Sequence, residues 1–439
     1  MARRITRRQF MRSGAAAAAA FTFWPKGILR AQSPAQRLHV AFIGAGGRGA
    51  SNLHEISQCA ADVVALCDVD ASNLAAAAKS FPNAKTYSDF RKLLEQKDID
   101  GVVVSTPDHV HAFAALAAIR LGKHIYCEKP LTHCVYESRI LRLAAAEKKV
   151  ATQMGNGGHS SEGTRATVEW IQSGAIGQVR EVHMWTDRAK DWWPQGVPRP
   201  TETPPVPQNL AWDLWIGPAP QRPYHPAYHP FKWRGWADFG TGALGDMGCH
   251  VFDVSCWALK LGPPSTIEAE TSGYNRETFP EWSIVRYEFP QRGDLPPVKL
   301  TWYDGGKLPQ RPPELEEGRE MGTKDGGTIF VGDKGKMIVP LGGAPRLIPE
   351  AKMKDFKRPD PSIPRSIGHH KEWVEACKGG PPAGSNFDFS GPMTETILLG
   401  NVAIRVGKKI QWDSEKLQAT NAPDAAPLIH REYRKGWEL

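Results

Sequence analysis

The sequence predicts an α/β protein: a doubly wound parallel sheet followed by a second α/β domain with an open, mainly antiparallel sheet. Three observations carry this. Strand-like and helix-like stretches alternate from Leu38 to about Ala151. Strand-like stretches then follow one another with few helices between them, and the first strand breaks into Gly44, Gly46 and Gly49 at the spacing G-x-G-x-x-G. Alternation demands parallel strands covered by helices on both faces, whereas consecutive strands separated by Gly/Pro turns make antiparallel or mixed sheet.

The elements follow in order. Apolar patterning predicts a strand at 38–43, a helix at 48–58, a strand at 62–67 and helices at 71–80 and 88–96. Strands at Gly101–Ser105 and His124–Cys127, helices at 109–121 and 134–148, and a strand at 149–153 complete this region. After a helix at 164–173, strands are expected at Val179–Arg188, Thr266–Ser272, Trp282–Phe289, Val298–Tyr303, Thr328–Val331 and Lys336–Pro340, with one helix at 249–260 between them. Helices return at 369–378 and 391–406. The expected organisation is a leader (1–32), a first domain (37–155), a second (156–412) and an irregular tail (413–439). A Pro-, Trp- and His-rich insertion at about 191–237 is long for a loop, and its aromatics predict an ordered minor core or a partner contact.

The glycine spacing has a direct physical reading. Gly44 permits a tight strand-to-helix turn, Gly46 lets the backbone approach a pyrophosphate, and Gly49 lets the helix pack closely on the strand. The helix N-terminus adds free N–H groups and partial positive charge. Gly47 and Arg48 complete the loop, and the next apolar strand ends in Asp68, nineteen residues past Gly49, where a ribose-binding carboxylate belongs. This context makes the region a dinucleotide-binding Rossmann domain. A carboxylate accepts from a ribose 2′-hydroxyl and repels a 2′-phosphate, so NAD is expected over NADP.

Ligands of such sheets lie beyond the carboxyl ends of the strands. The candidates there are Ser105, Thr106, Pro107 and His109, then Glu128, Lys129 and Pro130, then Gln153 to Asn156. Glu128 is expected on a nicotinamide-ribose hydroxyl, and Asn156 on nicotinamide or substrate. Lys129 suits acid–base work, because burial and nearby positive charge lower a lysine's pKa; the bond to Pro130 is a candidate for the cis form. A second cluster, GALGDMGCH, sets Asp246 and His250 four residues apart on one helix face. There His250 takes a hydroxyl proton as hydride leaves the carbon, while Asp246 orients the hydroxyl or the ring. The competing structural reading makes Asp246 an N-cap and His250 a core residue. His109, His111 and His159 with Cys127 lack a recognised ligand spacing, so no metal is expected. His369 and His370 read as structural.

In this order, the glycine loop, Asp68, STPDHVH, EKP and the GD-x-G-x-H helix resemble the glucose-fructose oxidoreductase/inositol dehydrogenase/MocA family. WDLWIGPAP and the closing YRKGWEL resemble its exported bacterial branch. The resemblance implies an N-terminal Rossmann domain and a C-terminal α/β domain whose open sheet often makes homodimer or homotetramer contacts. It also implies Lys129, Asp246 and His250 as the catalytic set of an oxidoreductase acting on a carbohydrate or polyol hydroxyl, without naming the sugar. One departure matters: glucose-fructose oxidoreductase itself is understood to hold NADP, whereas Asp68 argues for NAD. The insertion's aromatics then have a further reading, stacking on sugar C–H faces. Two rivals stand beside the dehydrogenase: a redox-neutral NAD-dependent glycosidase or epimerase working through a keto-sugar, and a non-catalytic, NAD-stabilised binding protein. Intact EKP and GD-x-G-x-H count against the last.

Charge and leader bound the compartment and partners. Thr6-Arg7-Arg8-Gln9-Phe10-Met11 followed by an apolar stretch, Ala15 to Phe23, is a twin-arginine pattern, so export in folded form to the periplasm is expected. The leader is too short to span a bilayer as a mature helix, and no later segment reaches the required length. The chain carries a formal +8, but seven basic residues and no acid lie in 1–32, leaving +1 for the rest. A nucleic-acid or anionic-membrane partner therefore loses its support. The seven scattered cysteines (59, 67, 127, 134, 249, 256, 377) read as buried thiols.

Overall fold

The computed structural model describes residues 37–188 and 192–439; the twin-arginine segment lies outside the described residues. Strand β1 (Leu38–Ile43) opens the first sheet, followed by helix α1 (Arg48–Ser57), β2 (Ala61–Cys67), α2 (Ala71–Ser80), β3 (Lys85–Tyr87) and α3 (Phe90–Leu93). Then come β4 (Gly101–Val104), α4 (Asp108–Arg120), β5 (His124–Cys127), α5 (Val135–Lys148) and β6 (Thr152–Met154). These six strands are all parallel, in the order β3-β2-β1-β4-β5-β6. That is the doubly wound parallel sheet expected from the alternation, with the switch point between β1 and β4. Both faces of β1 are buried, Ala41 and Ile43 in one apolar cluster and Val40 and Phe42 in another, which is why the strand reads as an unbroken apolar run.

Helix α6 (Glu162–Gln172), with Ser161 capping the N–H of Thr164, leads into the second sheet. That sheet comprises β7 (Val179–Thr186), β8 (Thr266–Thr271), β9 (Ser283–Phe289), β10 (Val298–Tyr303), β11 (Gly326–Gly332), β12 (Lys336–Pro340), β13 (Arg346–Ile348), β14 (Ile410–Asp413) and β15 (Gln418–Ala419). Its order is β13-β12-β11-β7-β10-β9-β8-β14-β15, antiparallel throughout except for the β7–β10 pair. Within the insertion runs α7 (Trp212–Ile216), followed by α8 (Gly242–Leu259); later come α9 (Glu350–Asp355), α10 (His369–Cys377) and α11 (Phe387–Val406). Among the described residues, no helix is long and apolar enough to cross a membrane.

Three departures from the sequence reading have tertiary causes. Helix α8 begins at Gly242, not near 249, because glycines that lower helix propensity here serve close packing. A Cβ on Gly248 would come within 3.1 Å of Ile397 on α11. Asp246 is therefore interior to the helix, which excludes the N-cap reading. Helix α10, assigned by sequence to the second domain, returns to the first: Trp373 packs with Leu38, Val40, Phe42 and Tyr126. The predicted helix at 88–96 contracts to Phe90–Leu93 behind an Asp89 cap.

The insertion's aromatics divide. Trp212, Trp215, Tyr228, Trp233, Trp236 and Phe239 form a minor core of their own, whereas Trp192 and Trp193 face a cavity described below. All seven cysteines are free thiols, most of them buried.

Candidate active site

Strand β1 delivers the chain to Gly44, whose φ of +88° suits glycine. A Cβ there would strike the carbonyl of Ser105, and one on Gly49 would strike the carbonyl of Gly44. Gly49 therefore lies beneath the loop and permits α1 to pack. Helix α1 begins after Gly47 with no side-chain cap and no acid in its first turn, leaving its N–H groups for an anion.

Gly44, Gly46, Gly47, Arg48 and Asp68 line one cleft of ≈ 710 Å³ together with Ser105, Thr106, Pro107, Glu128 and Lys129. Asp68 Oδ2 accepts from the amides of Ala45 (2.8 Å) and Gly46 (3.2 Å), and Oδ1 from that of Asp70 (2.8 Å). Burial pushes its pKa up, and those three N–H bonds oppose the rise. The carboxylate thus braces the glycine loop while it borders the cleft. A bare-backbone cradle, an uncapped helix N-terminus and a carboxylate at the next strand end fit a dinucleotide with unphosphorylated ribose.

Glu128 accepts from Arg48 Nε (3.1 Å) and Asn52 Nδ2 (2.8 Å), which ties α1 to the end of β5. Asn52, which also donates to Ser105 Oγ at 3.0 Å, escaped the sequence reading because a helical asparagine three positions past the last glycine carries no motif.

The Lys129–Pro130 bond is cis. Lys129 Nζ donates to Asp246 Oδ1 and to the Asp246 carbonyl, both at 2.9 Å. Arg234 Nε stands 3.4 Å from the same carboxylate oxygen. Burial would raise the Asp246 pKa, but the charges of Lys129 and Arg234 outweigh it and hold the group below its usual range. His250, one helical turn on, is pushed down to about 3 by burial and then by the Lys129 charge, so its imidazole is neutral at ordinary pH. Lys129, Phe231, Arg234 and Asp246 line both the dinucleotide cleft and a second cavity of ≈ 480 Å³. His250 lines the second, with Thr164, Arg188, Trp192 and Trp193. Arg188 and Arg234, which no motif marked, come from the end of β7 and from the insertion.

Two cofactor assignments are corrected. His109 is wholly buried, with Nδ1 3.2 Å from the Phe239 carbonyl and Nε2 2.9 Å from that of Trp215. It stitches α4 to the insertion. Asn156 is also buried, donating to Asp253 Oδ1 (3.0 Å) and accepting from Ser385 Oγ (2.6 Å), and it borders neither cavity. Both polar side chains are taken up by groups remote in sequence. His111 and His369 are likewise engaged with backbone carbonyls. Among the described residues no group of three or more His, Cys, Asp or Glu could hold a metal ion.

Comparison with known proteins identifies the family and the fold. Residues 38–156 match the family model described as "Oxidoreductase family, NAD-binding Rossmann fold", and residues 164–294 that described as "Oxidoreductase family, C-terminal alpha/beta domain". The chain belongs to the Gfo/Idh/MocA oxidoreductase family, and its first domain is an NAD-binding Rossmann domain. It is 26% identical over 232 residues to levoglucosan dehydrogenase of Pseudarthrobacter phenanthrenivorans, covering 50% of each chain. It is 32% identical over 152 residues to inositol 2-dehydrogenase of Salmonella typhimurium, covering 33% of this chain and 45% of that one. The chain thus spans half or less of the length of these two curated relatives. Among solved structures, the WlbA dehydrogenase of Bordetella pertussis, in complex with NADH and UDP-GlcNAcA, superposes with a TM-score of 0.62 at 17% identity over 86% of this chain and 99% of that one. Levoglucosan dehydrogenase with NADH and levoglucosan gives 0.56 at 18% identity over 86% and 100%. At such identities the likeness concerns the fold.

Replacing Asp68 with Ser is expected to weaken NADH binding about tenfold, because a charged acceptor bracing the loop is lost. NADPH binding should rise at the same time, since the repulsion of a 2′-phosphate goes with the carboxylate. Fluorescence titrations with both cofactors check this; unchanged NADPH affinity would remove Asp68 from cofactor choice.

Proposed function

We propose that the protein is an NAD-dependent oxidoreductase that moves hydride between nicotinamide and the hydroxyl-bearing carbon of a carbohydrate or polyol. The observation that carries this reading is the Lys129–Asp246 pair, which stands at the junction of the dinucleotide cleft and the cavity lined by His250. Bound NAD supplies the hydride acceptor. The chain's own groups manage the proton and the alignment. Neutral His250 accepts the hydroxyl proton at a ring nitrogen as the carbon loses hydride. Lys129 Nζ, with two of its three N–H groups spent on Asp246, has the third for the substrate oxygen. Asp246 fixes that ammonium, and Arg234 steadies Asp246. The names of the relatives support a sugar or polyol as substrate.

The same reading takes the cofactor to be tightly held, which is supported by Leu214, Trp215, His229 and Pro230, added by the insertion to the cleft wall. That wall favours a second reading, a redox-neutral cycle in which the same cofactor returns its hydride after elimination or epimerisation. Incubation with a panel of sugars and polyols, followed at 340 nm and by product analysis, separates the two. Lasting absorbance means net dehydrogenation, and product without absorbance means the closed cycle. Neither product nor absorbance, with NAD bound, would overturn both and leave a binding protein.

The same reading includes export to the periplasm by the twin-arginine route, supported by Arg7-Arg8 and the apolar stretch behind them. It also includes self-association, supported by the open nine-stranded sheet of the second domain.

A further inference from the structure

Residues 431–437 run along the Rossmann domain and the insertion and end with Trp437 in the wall of the dinucleotide cleft. Two arginines pin this segment. Arg431 Nε donates to Glu137 Oε1 at 2.8 Å and its Nη2 to the His109 carbonyl at 2.7 Å, anchoring it to the Rossmann domain. Arg434 binds Asp213 and donates from Nε to the Gly217 carbonyl at 2.8 Å, anchoring it to the insertion. The backbone amide of Arg434 adds a bond to the Pro218 carbonyl at 3.0 Å. Between these anchors Tyr433 sets its edge on Phe113, with ring centres 4.9 Å apart.

Trp437 follows and becomes part of the cleft wall, beside Ser88, Asp89 and Phe90. Its ring lies 6.0 Å from Phe90 and 5.9 Å from Phe113, and the Arg91 guanidinium stands 4.7 Å from its centre. Sheet order places this wall. Ser88, Asp89 and Phe90 follow β3, the edge strand next to β2, which is followed by Asp68; Lys129 follows β5, on the far side of β1 and β4. A dinucleotide with its pyrophosphate at the glycine loop and its adenosine ribose at Asp68 would lay its adenine in the half of the cleft beyond Asp68 and its nicotinamide in the half toward Lys129.

We propose that Trp437 is an adenine-binding residue, held by Arg431 and Arg434 as a strap that completes the adenosine half of the cofactor site. Trp437 is largely buried, with the Arg91 guanidinium over its ring, and the part it leaves open to the cleft is an apolar surface against which a purine can pack, chemistry available to any adenine nucleotide. The strap joins two regions remote in the chain, so binding the base also braces the Rossmann domain against the insertion.

This inference rests on NAD binding, and its test separates the two. NADH is titrated into full-length protein to give its dissociation constant, and AMP and nicotinamide mononucleotide then compete against it to give theirs, in wild type, Trp437→Ala and Trp437→Phe. The dissociation constants of NADH and of AMP should each rise about tenfold in Trp437→Ala, with that of the mononucleotide unchanged, and Trp437→Phe should recover most of the loss. An unchanged AMP dissociation constant overturns the proposal, as does an equal rise for AMP and the mononucleotide or an undiminished loss in Trp437→Phe. Failure of the wild type to take up NADH at all overturns the cofactor reading itself.

Discussion

Lys129→Met is expected to lower turnover by about 10²–10⁴-fold while NADH still binds. Methionine approximates the length of the lysine stem, so the walls of both cavities keep their shape, but the ammonium leaves. Asp246 then loses two bonds of 2.9 Å, one to its carboxylate and one to its carbonyl, and retains Arg234 at 3.4 Å. The carboxylate of Asp246 is no longer held as far below its usual range, and His250 loses the positive charge that helps keep it neutral. Its pKa therefore moves up in the variant, so residual activity should fall toward acid at a higher pH than in the wild type. Steady-state rates across pH, with NADH titration as the control, check this. Turnover within tenfold of wild type would remove Lys129 from the chemistry.

Glu137→Ala is expected to cost about 3–5 kcal/mol, the scale for breaking a buried ion pair from one side. Glu137 is wholly buried and carries three bonds. Its Oε2 accepts from the amides of His133 (3.0 Å) and Cys134 (3.2 Å), capping α5, and its Oε1 accepts from Arg431 at 2.8 Å. Alanine strands the Arg431 guanidinium and two N-terminal amides together. The melting midpoint should fall by on the order of 5–10 °C. Glu137→Gln, which keeps the acceptor oxygen without the charge, should lose less. A melt unchanged in Glu137→Ala would show that the strap is not anchored there. Because Arg431 also positions Trp437, NADH affinity should fall in the same variant.

Much of the first domain was legible because its code is local. The β1 run, the glycine spacing and Asp68 lie within thirty-one residues of sequence, and Gly49 answers to the Gly44 carbonyl inside the same loop, although Gly44 itself answers to Ser105 beyond β4. The Lys129–Asp246–His250 set was also proposed from short motifs, and the structure brings all three to neighbouring cavity walls. Helix α8 was legible only in part, since Gly242, Gly245 and Gly248 look like a loop until Phe279, Thr241 and, from α11, Ile397 pack against them. His109 and Asn156 misled for the same kind of reason. Both sit at strand ends where ligand contacts are common, and both are used up by partners more than ninety residues away.

By itself, then, the amino-acid order determined the doubly wound sheet, the mixed sheet after it, the phosphate loop and the preference for a free ribose hydroxyl. These depend on side-chain periodicity and on backbone freedom at single positions. Only the tertiary structure decided that Arg234 stands behind Asp246, that Trp373 covers the first sheet, and that Trp437 walls the nucleotide cleft. The last two join segments hundreds of residues apart, and the first brings the insertion onto helix α8. Their energy comes from burial and charge pairing across the folded interior, to which no local pattern is answerable.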